Sequence, residues 1–305
     1  MTGQALITLF AVVVLVFLLV RLIPGDPIRV ILGVEYSPER AEALRAELHL
    51  DGSLPEQFAA YIGGLFRGDL GESTSQRGRS VVDVIAESFP TTMSLVLTAI
   101  LIAVVIGITL GLLAGITKRR GVDLAVRTWS MLSFSVPTFL VGLLLIFVFA
   151  LNLGLLPAGG WPGRMPDNLA FIVLPGLALS AHLTTMIART VRQGAIDVQG
   201  MQFMEAATAR GLPARNLTLR HILPNSVLPV LTLVGISFGA LLTGAIIVEA
   251  VFGIPGLGAE MSRAVSRRDY TVVQGIALVT AVSVVLSGYL VEIAYTFIDP
   301  RARTL

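Results

Sequence analysis

Few side chains in this sequence can do chemistry, and their arrangement argues against bond-making. Lys118 is the single lysine, and Thr117 rather than glycine precedes it. A phosphate-cradling loop needs Gly-Lys-Ser/Thr, so this chain holds no nucleotide in that way. Cysteine is absent, which removes disulfides, thiolate metal sites and cysteine nucleophiles. His49, His182 and His221 are far apart, and His-Glu-x-x-His does not occur. We therefore expect no catalytic residue, no metal site and no cofactor bound by the chain itself. One polar stretch carries chemistry of another kind. Glu205-Ala206-Ala207 is followed by Arg210, Gly211 and Leu212, with Leu223-Pro224 twelve residues after that glycine. A carboxylate beside two small residues, then a residue free to turn, suits docking rather than turnover.

The elements that must position this stretch are membrane spans. Hydrophobic residues make up 54% of 305 positions, charged residues 14%, and the mean hydropathy is +0.82; a soluble domain carries about a quarter charged residues. The apolar residues are clumped into runs of roughly 20 or more, the length that crosses a hydrocarbon core as helix. The sequence predicts an all-α integral membrane protein with six transmembrane helices, near 3–22, 90–116, 128–151, 169–189, 228–251 and 272–298. The first is too long for a signal-peptide core and reads as a retained helix. Lys118, Arg119, Arg120, Arg127, Arg192, Arg210, Arg215 and Arg220 all fall in loops on one side. The positive-inside bias places that side, the Glu205 loop and both termini in the cytoplasm.

The predicted organisation is a transmembrane helix over 1–23, an extracytoplasmic helical insert over 24–89, a five-helix core over 90–298 and a cytoplasmic tail over 299–305. The Glu205 loop occupies 190–226. Ser37-Pro38 starts one helix of the insert, Pro55 opens a second, and Gly68-Asp69-Leu70-Gly71 ends it. Eleven carboxylates against six arginines give residues 24–88 a net charge of −5. Such a face is either simply solvated or complementary to a partner, and Glu39, Glu42 and Glu47 are the candidate docking residues. In the cytoplasmic loop, Met201–Arg210 reads as a short helix stopped by Gly211 in a left-handed conformation. Ten residues do not hold a helix in water unaided, so something packs on it.

Gly107, Gly111 and Gly115 share one helical face, as do Gly235 and Gly239, and predict close helix packing. Pro137 and Pro175 fall mid-span, where proline kinks a helix. Glu249 and Glu292 sit at membrane depth, and intramembrane carboxylates are functional candidates. Glu249 also lies at the depth of Arg21 and could pair with it. Pro137, Glu249 and Glu292 are the translocation-path candidates; His182 is expected as a hydrogen-bonded core histidine.

Several further segments strengthen one comparison. Leu22-Ile23-Pro24-Gly25-Asp26-Pro27, Gly68-Asp69-Leu70-Gly71, Leu219–Asn225, Val248–Gly258, Asp269-Tyr270 and Asp299-Pro300-Arg301 stand in order along the chain. Together with the Glu-Ala-Ala loop they resemble the B-type permease subunit of the dipeptide/oligopeptide ABC importer family. The sequence departs from that pattern at His221, at Pro213 and in the missing basic N-terminal arm.

The resemblance implies a multi-pass permease of a bacterial or archaeal plasma membrane, importing a ligand delivered by a substrate-binding protein. Peptide is the expected ligand, with haem, nickel chelates and glutathione as alternatives by the same mechanism. The implied partners are a sister permease subunit, two ATP-binding cassette subunits that carry ATP and Mg, the extracytoplasmic receptor and membrane lipid, with no nucleic acid. Glu205, Ala206, Ala207, Arg210, Gly211 and Leu212 are then the ATPase-coupling residues. A secondary transporter would show inverted repeats, and an intramembrane enzyme a catalytic pair at depth; neither pattern is visible.

Overall fold

The computed structural model describes residues 2–22, 28, 36–47, 52–76, 78–117, 121, 128, 135–163 and 167–298. In chain order the helices are α1 (Thr2–Leu22), α2 (Pro38–Glu47), α3 (Leu54–Phe66) and α4 (Val81–Ile116). There follow α5 (Thr138–Leu145), which continues as a π-helical segment Ile146–Asn152, then α6 (Asn168–Gln199) and α7 (Gln202–Ala209). After α8 (Ala214–Asn216) and a second π segment, Leu217–Ile222, come α9 (Leu223–Phe252), α10 (Leu257–Ser266) and α11 (Tyr270–Ile298). An isolated bridge between Glu72 and Ser80 is the one β feature among the described residues.

Among these residues, Val81–Ile116, Asn168–Gln199, Ala214–Phe252 and Tyr270–Val291 are long and apolar enough to cross a membrane. Ala5–Leu18 and Thr138–Asn152 are shorter apolar helices. The chain divides into two compact units, Met1–Thr91 with Pro255–Val285, and Thr92–Ile254 with Leu286–Leu305.

In the first unit, local sequence explains the small helices. The Ser37 hydroxyl accepts from the Arg40 amide at 3.2 Å, capping α2. At the start of α3 the Ser53 amide donates to the Glu56 carboxylate at 2.7 Å, the reciprocal half of a capping box. Bonds from the Ser53 amide and hydroxyl hold the Glu56 carboxyl below the usual range. Phe58 of α3 meets Phe17 of α1 edge-on, ring centroids 5.0 Å apart. Gly68 ends the α3 turn at φ +75°, as expected of a helix stop.

The helix that holds the predicted span 90–116 begins earlier, at Val81, because Val81, Val84, Ile85 and Ser88 form a buried stripe at helical spacing. These residues pack with Leu257, Ala264, Val272 and Ile276. A Cβ on Gly275 would lie 2.4 Å from Val81 Cγ1, so that contact admits no side chain.

In the second unit, α6 is the central element. Leu174, Ala178, Leu183, Ile187 and Val191 join Leu95, Val96, Ala99 and Ala103 of α4 in one buried cluster, with Leu241, Ala245 and Val248 of α9. The expected glycine packing is met within the chain. A Cβ on Gly107 would fall 2.8 Å from Ile187 Cβ, on Gly111 2.6 Å from the Ala188 carbonyl, and on Gly115 2.7 Å from Ala195 Cβ. Gly235 approaches Val291 in the same manner, at 2.7 Å.

Pro137 interrupts the helical path: Ser135 is helical, Pro137 is extended at φ −59°, ψ 143°, and α5 starts directly after it. One expectation is corrected. His182 is exposed on α6, because the buried stripe through Ala178, Leu179, Leu183 and Ile187 passes it by. Pro175 does lie inside α6 and is buried.

Candidate functional site

The Glu205 loop is built by a sequence of local stops. Gly200 ends α6, its amide bonded to the Asp197 carbonyl, and Met201 is extended at ψ 145°. α7 then runs for eight residues and ends at Arg210; Gly211 follows at φ +73°, a conformation that costs an L side chain about 1–2 kcal/mol. Pro213, at φ −62° and ψ 146°, starts α8 without any side-chain cap. The π segment Leu217–Ile222 leads into α9, whose second residue is Pro224, with no amide to donate.

α7 is too short to stand alone, and its own chain supports it. Met204 is buried with Ala195 and Val198 of α6 and Ile222 of the π segment, and Ala207 is buried as well. The Phe203 ring lies 6.2 Å from His221, so the atypical histidine meets an aromatic partner on α7. The Gln199 amide donates to the carbonyls of Gly115 (3.1 Å) and Ala195 (2.8 Å), tying the end of α6 to α4.

The opposite face of the loop is open. Glu205, Ala206, Arg210, Gly211 and Leu212 are exposed. Ala207, grouped with them from the sequence, is turned inward, because its spacing of three from Met204 puts both on the supported side. Glu205 sits in the first turn of α7, where a carboxylate is favoured by the helix dipole. Between α7 and the π segment is a cavity of about 570 Å³, lined by Gln199, Glu205, Thr208, Leu217 and Thr218 among others.

The remaining candidates do not converge on this loop. Glu249 is fully buried, and its carboxylate accepts from the Thr92 hydroxyl at 2.6 Å. In this state it presents no surface to a path. The side chains of Arg21, Glu47 and Glu292 lie outside the described residues. Glu39 and Glu42 are exposed on α2.

One site was not legible from sequence. Asp269, 1% exposed, accepts at one oxygen from the Ser73 hydroxyl (2.5 Å), the Ser75 amide (3.0 Å) and the Ser75 hydroxyl (2.8 Å). Its other oxygen takes the amides of Thr74 and Val272, each at 3.2 Å. Burial pushes this carboxyl up, but the bonds from Ser73, Ser75 and Val272 outweigh it and leave it below the usual aspartate range. The only hint in the sequence was Asp269-Tyr270 before an apolar run, which gives no sign of a partner nearly 200 residues away.

The sequence also contains Gly235-Ile236-Ser237-Phe238-Gly239, which has the letters of a Gly-x-Ser-x-Gly nucleophile motif. It lies within α9, not at a strand-to-helix turn, so it is no nucleophile elbow. Among the described residues no three of His, Asp or Glu gather as a metal site requires.

The described residues thus combine several apolar helices long enough to cross a membrane with a short helix supported on one side and open on the other. The chain belongs to the family of binding-protein-dependent transport system inner membrane components, whose model matches residues 107–304. The N-terminal model of the same transport systems matches residues 1–96.

Among its relatives is the glutathione transport system permease protein GsiC of Escherichia coli, 39% identical over 97% of this chain and 95% of the relative. The oligopeptide transport system permease protein OppB of Haemophilus influenzae is 35% identical over 98% and 96%. In fold it is similar to the MetNI methionine ABC transporter in inward-facing conformations, with a TM-score of 0.52 and 20% identity, covering 73% of this chain and 97% of that one. The chain is thus a multi-pass permease subunit of the dipeptide/oligopeptide type of ABC importer, and is not itself catalytic. Membership implies a separate ATPase and a substrate-binding protein as partners.

Proposed function

We propose that this chain forms half of the membrane pathway of a peptide importer in a bacterial or archaeal plasma membrane. It crosses the membrane six times with both termini in the cytoplasm and pairs with a sister permease subunit. ATP and Mg reside on two cassette subunits. The relatives named for glutathione and oligopeptide transport support a di- or oligopeptide cargo, with glutathione, itself a small peptide, as the second reading.

The observation that carries the coupling role is the two-sided α7. Met204 and Ala207 anchor it inward, while Glu205, Ala206, Arg210 and Leu212 face out. Glu205 meets a donor or basic group of the ATPase, Ala206 allows close approach, and Gly211 permits the exit turn. Residues 24–89 form the receptor-side insert, docking through Glu39, Glu42 and Glu47. Pro137, Glu249 and Glu292 belong to the moving parts of the path, Glu249 entering it only when the Thr92 contact opens.

The test is affinity capture on this chain, followed by receptor-stimulated ATP hydrolysis and peptide uptake in vesicles. ATPase, sister and receptor should co-purify, and Glu205→Lys should abolish stimulation while α-helical content is kept. Capture of no ATPase subunit, or full stimulation with Glu205→Lys, overturns the reading.

A further inference from the structure

Of the four long apolar helices among the described residues α6 is the most enclosed: 61% of its most apolar stretch is buried, against 33% or less in the others. What it leaves open in its cytoplasmic half is mostly polar, with Ile196 the one large apolar side chain exposed near its end. His182, Arg189 and Gln193 are exposed, with half-buried Met186 between them, and Gln193 donates to the exposed Asp197 carboxylate at 2.8 Å. Their spacing of i, i+4, i+7 and i+11 sets them on one helical face.

The exposed faces of neighbouring elements are different. Leu97, Leu101 and Val105 are open on α4, as are Leu143, Leu144 and Phe147 along α5 and its π segment. Those side chains suit acyl chains. An imidazole about 5 Å past the middle of the apolar segment 169–189 does not. Ionisable groups at that depth face a bundle interior or a water-filled cavity.

We propose that the His182–Met186–Arg189–Gln193 face of α6 lines the water-filled translocation path, and that His182 and then Arg189 take the carboxylate of the moving cargo. The proposal rests on the peptide-importer reading above. Seven residues separate the two groups by about 10 Å along the helix, a short relay for a small peptide. A guanidinium pairs a carboxylate through its fork, while the thioether between them offers only weak contact. Passage needs sites that bind weakly enough to release.

The chain has no cysteine, so single thiols report directly. Complexes captured on this chain and reconstituted in nanodiscs would carry His182→Cys, Met186→Cys, Leu101→Cys or Val105→Cys. Labelling of this chain by charged methanethiosulfonates would be timed with and without ATP. A hydrated thiolate attacks these reagents, forming a mixed disulfide and releasing methanesulfinate, so positions 182 and 186 should react about tenfold faster than 101 and 105.

At Met186→Cys, one turn from Arg189, the anionic reagent should be favoured about fivefold over the cationic one, each normalised to free thiol. Adding Arg189→Gln should remove that preference. Met186→Cys leaves both proposed carboxylate sites intact, so the test survives if His182→Cys misfolds. Rates at 182 and 186 no faster than at 101, in a complex whose ATPase still answers to receptor, overturn the proposal and mean that a partner chain or lipid covers this face. Failure to capture any ATPase would instead overturn the importer reading.

Discussion

Replacing Asp269 by asparagine tests the cluster that fastens residues 73–75 to the start of α11. An amide has one acceptor oxygen where the carboxylate has two. If its nitrogen takes the place of the oxygen facing Ser73 and Ser75, both hydroxyls can rotate to accept, but the Ser75 amide loses its acceptor. If the amide is flipped, the Thr74 and Val272 amides are orphaned instead. The cheaper arrangement costs about 1–3 kcal/mol for one unsatisfied amide plus the lost charge assistance of the others. A total near 3 kcal/mol raises the opening equilibrium of the 72–80 loop roughly a hundredfold.

Hydrogen exchange at the Ser75 amide, read by fragment mass spectrometry on the intact complex, measures this opening. Because the folded carboxyl lies below its usual value, its stabilisation is complete above about pH 3.9 and fades only as pH falls through the lower folded value. Wild-type protection from this site should be flat from pH 5 to 8 on that account. Exchange in Asp269→Asn within threefold of wild type would refute the reasoning.

Thr92→Val removes the hydroxyl that donates to the buried Glu249 and should destabilise the second unit by about 1–3 kcal/mol, read as a lower thermal midpoint in detergent; an unchanged midpoint counts against the bond. Gly111→Leu places a Cβ 2.6 Å from the Ala188 carbonyl and should cost more than the usual ~1–3 kcal/mol of overpacking, with loss of folded protein in membrane extracts. Gly211→Val forces a β-branched residue to φ +73° and should weaken ATPase capture by roughly tenfold for about 1–2 kcal/mol of strain, while α4, α6 and α9 keep their thermal stability. Glu39→Gln with Glu42→Gln should slow receptor association at low salt and leave it little changed at high salt, as stopped-flow measurement would show.

Patterns that depend on near neighbours in the chain were readable from the residues. Apolar runs, the Ser37 and Pro55 helix starts, the Gly68 and Gly211 stops and the Gly107-Gly111-Gly115 face all follow from local sterics and periodicity. The short helix before Gly211 and its left-handed stop were legible too, because both are set within one loop. Three-dimensional packing decided the rest. Ala206 and Ala207 are identical in type, and only the burial of Met204 one turn away turns the second inward.

Glu249 accepts the Thr92 hydroxyl from a helix more than 150 residues away, a donor that its depth in the sequence does not announce. Asp269 takes its hydrogen bonds from Ser73 and Ser75, some 195 residues earlier. Periodicity sets which side of a helix a residue lies on, but not what lies opposite. A carboxylate's role depends on the donors brought to it, and tertiary folding alone delivers those.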